Sequence, residues 1–242
     1  MLSEEEMDRY DRQVLIEEIG ISGQEKLKKG KAFVCGAGGL GSPIAIYLAA
    51  AGVGTITIAD HDRVALSNLN RQILHGEADI GQEKVASAAE KLGRMNSSIT
   101  IYSLTDTINK ENAADLVAGH DVIIDALDNF RTRYILNKAA LDLNIPLIHG
   151  AVNGFEGRVL TVIPGQSTCL RCLSRGPVKD AAKFPVIGVA PGVIGAIQAT
   201  EALKLLMGIG EPLTDRLLVY DGLRLKWDEF RVKRNPECPH CR

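Results

Sequence analysis

The chain has 242 residues, of which 45% are hydrophobic and 24% charged, with a formal net charge of −2. This is the composition of an ordinary globular protein. The near-balanced charge argues against a nucleic-acid partner, which would need a strong basic field. The charged opening MLSEEEMDRYDRQ is unlike a signal peptide, and the apolar runs read as too short for a bilayer, so a cytoplasmic protein with no membrane partner is expected.

In chain order, residues 3–29 read as helical, with Ser3 as N-cap and Glu6 three positions on. KAFVC, residues 31–35, reads as a strand. GAGGLGS follows, then an apolar helix through Leu48, then the strand TITIA, residues 55–59, ending at Asp60. Strand, glycine turn, helix, strand and acidic residue form the opening of a dinucleotide fold. The polar loop HDRVALSNLNRQILHG is long for such a connection, and long ordered loops tend to be functional.

A helix is expected from about Gly81 to Met95 and a strand at Thr100–Leu104. A short helix from Asn109, a strand at Val122–Ala126, a helix from Arg131 to Leu143 and a strand at Pro146–His149 follow. Repeated β–α units imply a parallel sheet. Beyond Gly150 the pattern changes: GRVLTVIP alternates as a strand, Gly192–Met207 reads as a helix, and RLLVYDGLRLKWDEFRV reads as a hairpin turning at Asp221-Gly222. The fold class is therefore α/β: a Rossmann-like, mostly parallel sheet flanked by helices and continued by antiparallel strands. One domain, residues 1–242, is expected. It comprises an N-terminal helical segment (1–30), a nucleotide-binding half (31–150) and a second half (151–242) on the same sheet.

Gly36, Gly38 and Gly41, with Gly39 between them, form a GxGxxG loop that presents backbone N–H groups to phosphates. The loop alone does not choose NAD over ATP. Asp60, about 20 residues on, stands where an acidic side chain accepts from ribose hydroxyls, although a strand-end or capping role is open to it. The loop contains no P-loop lysine, so a bound triphosphate must find cations elsewhere. Arg71, flanked by Asn68, Asn70 and Gln72, and Lys84 are the candidates, with a solvated helix position the alternative for Lys84. Asp128 follows the strand VIIDA. It suits Mg²⁺ there, or else caps the next helix, a task that Asn129 could take instead.

Four of the five cysteines form two pairs, Cys169-x-x-Cys172 and Cys238-x-x-Cys241, which can supply four thiolates to one structural zinc. The fifth, Cys35, reads as a buried small hydrophobe in the first strand. His61, His75 and His120 read as surface residues. His149 ends a strand, and His240 lies between two presumed zinc ligands.

RYDRQVLIEEIG, GAGGLGS, IADHD, SNLNRQ, GQEKVASAAEKL, DALDNFRTR, HGAVNGFEG, the CxxC pairs and GVIGAIQATEALK occur in that order. Over nearly its whole length the chain thus resembles the MoeB/ThiF/HesA family, relatives of the ubiquitin-activating enzymes. The resemblance implies ATP-dependent adenylation of the C-terminal glycine carboxylate of a small ubiquitin-like sulfur-carrier protein ending in Gly-Gly. It implies that Gly36, Gly38 and Gly41 cradle phosphates, Asp60 holds the ribose, Asn68, Arg71 and Lys84 hold the polyphosphate, and Asp128 holds Mg²⁺. It also implies a homodimer in which Arg12 reaches the partner's site, a second half that binds the carrier, and Cys169, Cys172, Cys238 and Cys241 on structural zinc. The loop from Cys172 to Gly192 has no cysteine, a departure from thioester-forming relatives, so adenylation without an enzyme thioester is expected. The competing readings are adenylation of a carboxylate on a modified tRNA or peptide, an NAD-dependent oxidoreductase with structural zinc, and a non-catalytic scaffold.

Overall fold

A computed structural model describes residues 1–174 and 184–241. Eight strands form one sheet in the order β3-β2-β1-β4-β5-β6-β7-β8. β1 (Lys31–Cys35), β2 (Thr55–Ala59), β3 (Thr100–Leu104), β4 (Val122–Asp125) and β5 (Leu147–Asn153) run parallel. β6 (Glu156–Val162), β7 (Arg216–Asp221) and β8 (Lys226–Arg231) continue the sheet antiparallel. The strand order reverses between β1 and β4, and ligands of open α/β sheets bind at the carboxyl ends of strands beside such a reversal.

Central strands buried on both faces read as continuous apolar runs, and β1 and β4 do so. Ala32, Val34, Val122 and Ile124 pack into one core with α4 (Gly41–Ala51), α5 (Lys84–Met95) and α8 (Val189–Met207). Phe33, Cys35 and Ile123 face the other core, with α6 (Ala113–Val117) and α7 (Phe130–Asp142). The period-2 alternation of a strand divides each run between the two layers.

The expected N-terminal helix is three shorter ones: α1 (Glu4–Arg9), α2 (Asp11–Val14) and α3 (Gly20–Lys29). The capping box at its start is present: Ser3 Oγ accepts from Glu6 N at 3.2 Å and Glu6 Oε2 accepts from Ser3 N at 2.7 Å. Gly20, at φ +55°, restarts the chain after the break. α8 begins at Val189, ahead of the expected Gly192, because Pro191 falls in its first turn, where an N–H would go unpaired anyway. The hairpin turn is longer than Asp221-Gly222. Asp221 pairs with Lys226, and its Oδ1 accepts from Leu223 N and Arg224 N to close residues 222–225. β5 runs on to Asn153 because β6 pairs with it along its whole length.

The expectation that every apolar run is too short for a bilayer is corrected by α8, which is long and apolar enough by length and composition. In the fold it packs on α4, β5 and β6 and buries Gln198 and Glu201, as a core helix does.

Candidate active site

Where β1 meets α4, the glycine loop turns with its backbone facing an open cleft. Gly36 adopts φ +109°, and a Cβ at Gly41 would sit 1.8 Å from the Gly36 carbonyl oxygen, so the turn closes only with glycine at both positions. Asp60, one residue past β2, accepts from Ala37 N at 2.8 Å and from Asp62 N at 2.9 Å, one bond on each oxygen. Each oxygen keeps a lone pair for a further donor such as a ribose hydroxyl.

Lys84 is the first residue of α5 and is 4% exposed, so it is not a solvated helix residue. Its ammonium lies 2.8 Å from Asp62 and 3.9 Å from Asp60. Burial opposes ionisation of Asp62, but the hydrogen bond and charge of Lys84 outweigh it and hold that carboxyl below its usual range. Arg71 lines the cleft with Nη1 bonded to Ser67 O (2.9 Å) and Asn70 Oδ1 (3.0 Å). Gln72 is buried beside Gly38, and its Oε1 has no hydrogen-bond partner among the described residues.

Asp128 is exposed on the far wall of the cleft, after β4. Asn129 is the cap of α7, its Oδ1 accepting from Thr132 N at 2.9 Å, which leaves Asp128 clear of that duty. Gly36, Gly38, Gly39, Asp60, Arg71, Gln72, Lys84 and Asp128 thus converge on one cleft. Three expected residues do not line it. Gly41 supports the loop from α4. Asn68 closes a 3-10 turn by accepting from Ala65 N at 3.1 Å. Arg12, on α2, is 93% exposed beside Asp11.

The fold also brings to the cleft several residues that no sequence pattern marks. Asp62 engages Lys84, and Asp106, Thr107 and Ile108 form a wall after β3. Arg133 reaches the cleft from α7 and is buried beneath it with Asp125 and His149. Arg133 lay in plain view in DALDNFRTR, but its turn of α7 carries no periodic signal that marks a charged residue as inward-facing. His75 is a correction: it is buried, with Nδ1 2.9 Å from Ser87 Oγ and Nε2 2.9 Å from Ala37 O, tying the glycine loop to α5. His120 is half-buried, 2.8 Å from Thr57 Oγ1, and also leaves the surface class.

Cys169, Cys172, Cys238 and Cys241 meet in one cluster outside the cleft lining, with Leu170 N bonded to Asn137 of α7. Three of their Sγ separations are 3.8, 3.6 and 3.4 Å. Four sulfurs at about 2.3 Å from one zinc stand about 3.8 Å apart, so the cluster fits a closed tetrahedral site. Burial raises the Cys169 thiol and pushes Cys241 up to about 11, while against burial the backbone N–H groups of His240 and Cys241 bring Cys238 down to about 7; a divalent cation would favour the thiolate at each. His240 turns away from the sulfurs, with Nδ1 2.9 Å from Asn137 Nδ2 and its ring edge-on to Tyr134. Residues 175–183 of the cysteine-free loop lie outside the described residues.

A glycine loop, the carboxylates of Asp60 and Asp128 and the cations Arg71 and Lys84 around one cleft, beside a cluster of four cysteines, define the class: an α/β protein whose cleft has the charge and backbone donors that suit a polyphosphate nucleotide. A ThiF family profile matches residues 10–240, and the chain belongs to the ThiF family. It is 43% identical over 241 residues to the SAMP-activating enzyme E1 of Haloferax volcanii, covering 98% of this chain and 89% of that protein. It is 41% identical to the sulfur carrier protein adenylyltransferase of Thermus thermophilus, covering 99% of this chain and 92% of that one. The adenylyltransferase and sulfurtransferase MOCS3-1 of Zea mays is 44% identical, but the match spans only 51% of its length. Among solved structures, E. coli MccB with ATP superposes at a TM-score of 0.86 with 25% identity, covering 97% of this chain and 73% of that chain.

Proposed function

We propose that this chain is an adenylyltransferase that activates the C-terminal glycine carboxylate of a small ubiquitin-like sulfur carrier with ATP. The observation that carries the reading is the convergence of Gly36, Gly38, Asp60, Arg71, Lys84 and Asp128 on one cleft. Relatives of nearly the same length, named for the activation of SAMP and of a sulfur carrier protein, support it.

A C-terminal carboxylate has a reference pKa of about 3.5, so at neutral pH it is already the nucleophile and needs no general base. Its oxygen attacks the α-phosphorus, the bond to the β,γ-phosphates breaks, and pyrophosphate leaves with the electron pair. The demand on the protein is to neutralise charge and align an anion with a polyanion. The glycine loop N–H groups, Arg71 and Lys84 meet that demand, and Asp60 fixes the ribose. A Mg²⁺ held at Asp128 would supply further charge neutralisation along the phosphates.

Zinc on the four cysteines ties the C-terminal segment to the loop after β6. Asn68 and Arg12 complete the site from outside the cleft of one chain: Asn68 after a shift of its turn, and Arg12 from a second copy in a homodimer. The second half of the chain receives the carrier, and the reaction belongs in the cytoplasm.

The test is ATP–pyrophosphate exchange with purified small proteins ending in Gly-Gly. Exchange should require the terminal glycine and fall on the order of 10²-fold in Asp128→Ala, with the melting temperature unmoved. Exchange with a modified tRNA or an unrelated peptide, and none with a carrier, would replace the substrate. Binding of NAD without exchange would replace the reaction class.

A further inference from the structure

Behind the loop that carries Asp128 lies a buried charged group that takes no part in the cleft chemistry above. Asp125 is 0% exposed, His149 2% and Arg133 5%. His149 Nδ1 is 2.7 Å from Asp125 Oδ2, and Arg133 Nε lies 3.5 Å from the same oxygen. Burial lowers the affinity of His149 for a proton, against the pull of Asp125, so at neutral pH it is a neutral donor and Arg133 carries the countercharge.

The contacts of this group go to the backbone of the Asp128 loop. Asp125 Oδ1 accepts from Leu127 N at 3.0 Å. Arg133 Nη2 donates to Leu127 O and, at 3.0 Å, to Gly150 O. Leu127, the residue before Asp128, is therefore gripped at both its N–H and its carbonyl. Asn129, the residue after, is fixed as the cap of α7. The exposed carboxylate between them has little backbone freedom left. A buried ion pair contributes little net stability against an apolar replacement, so stability alone does not account for this one beside the Asp128 loop.

We infer that Arg133, paired with Asp125, is a positioning residue that sets the Asp128 carboxylate for the metal–nucleotide complex. The inference rests on the proposed magnesium role of Asp128. Arginine is required rather than any cation, because Nη2 donates to Leu127 O and Gly150 O while Nε, on the same rigid plane, stands 3.5 Å from Asp125; the one nitrogen of a lysine keeps the charge but cannot stand at both places. Charge and geometry can therefore be separated by substitution.

The experiment measures ATP binding to the full chain by calorimetry, once with excess Mg²⁺ and once with a chelator, and needs no carrier. Arg133→Lys should keep the melting temperature near wild type and bind metal-free ATP as wild type does, yet weaken binding of MgATP by roughly 10-fold, the usual scale for groups that orient a metal ligand. Arg133→Met should show the same selective loss with a lower melting temperature. Equal loss with and without Mg²⁺ would mean that Arg133 touches the nucleotide itself, and no loss in a folded Arg133→Lys would make it a buried counter-ion only. If neither variant folds, Arg133 is a stability residue. Each of these three outcomes overturns the inference. Asp128→Ala is the control on the premise: wild-type preference for MgATP in that variant would sink the magnesium role of Asp128, and absence of ATP binding to the wild-type chain would sink the proposed function.

Discussion

The Lys84 ammonium sits 2.8 Å from the Asp62 carboxylate, although Asp62 is 56% exposed and Lys84 is 6% exposed along its side chain. The lysine stem is buried while its head meets a partner at the cleft rim, an arrangement that lends the charge to whichever anion lies there. Replacing it leaves Asp62 free to return to water. Lys84→Ala should therefore cut pyrophosphate exchange by about 10²-fold or more with little change in melting temperature. An unfolded or strongly destabilised Lys84→Ala would show instead that the lysine serves the fold.

Asp79 gives the same kind of pair a stability role. It is 7% exposed, accepts from Gly76 N at 2.6 Å and pairs with Lys91. Burial opposes its ionisation, but Lys91 and the Gly76 N–H outweigh burial and hold its carboxyl below the usual 3.8. A carboxyl depressed in the folded state contributes stability that is fully present above its unfolded value and lost as pH falls through the folded one. Glu6, also depressed, acts in the same direction. The melting temperature should hold steady above about pH 5 and fall below about pH 4, and Asp79→Asn should be less stable at pH 7 and fall less steeply in acid. Scanning calorimetry across that range decides it; parallel curves would remove Asp79 from the acid response.

How far the sequence predicted all this depended on the kind of signal. The β–α alternation, the glycine loop and Asp60 were legible because local spacing dictates them. Gly36 and Gly41 are required by backbone geometry within six residues of each other. The cysteine pairs were legible because CxxC is a local chemical pattern. Tertiary burial was not. Lys84 and Arg133 are polar residues on helices whose apolar periodicity does not mark them as inward-facing, and His75 lies in a loop with no periodicity at all; only the packing of α5 and α7 on the sheet shows their partners. The break between α2 and α3 escaped, although Gly20 marks it, because helix formers stand on both sides of that glycine.

The cysteine cluster leads to a metal prediction. The purified chain should carry about one zinc, since four thiolates at tetrahedral spacing form a closed site with no position for substrate. Cys241→Ser should lose the metal and melt several degrees lower, because the C-terminal segment is then no longer tied to residues 169–172. Elemental analysis and a thermal melt suffice. A metal-free wild-type protein, or a variant that melts as wild type does, would refute the site.

Arg12 is exposed, outside the cleft of its own chain, and available to a second copy. If each site takes its arginine from the partner, Arg12→Ala and Asp128→Ala are both inactive alone, but a hybrid dimer has one intact site. Equal mixing with subunit exchange should recover about a quarter of wild-type exchange activity, since half the dimers are hybrid and each hybrid has one working site of two. Mixtures that stay inactive while mass spectrometry shows hybrids would return Arg12 to a role within its own chain or to none.

No covalent bond should form between the chain and the carrier. Cys35 is 1% exposed at the end of β1, its side chain in the core with Phe33 and Ile123, yet the residue borders the cleft. Proximity alone could make it the acceptor of the activated glycine. Its environment argues otherwise. Burial raises the thiol well above its usual range, the negative charges of Asp125 and Asp60 raise it further, and Arg133 only partly opposes them. A thiol held protonated is a poor nucleophile. The other four cysteines are gathered in the cluster, and residues 173–191 contain none. The acyl-adenylate should therefore be the end product on the enzyme, kept until a sulfur donor from outside attacks. Incubation with a Gly-Gly carrier, ATP and Mg²⁺, followed by non-reducing electrophoresis and mass spectrometry, should show no thiol-sensitive adduct, and Cys35→Ala should exchange pyrophosphate at close to the wild-type rate. A carrier-sized adduct that is lost with reductant and absent in Cys35→Ala would place Cys35 among the catalytic residues and give the enzyme a thioester step.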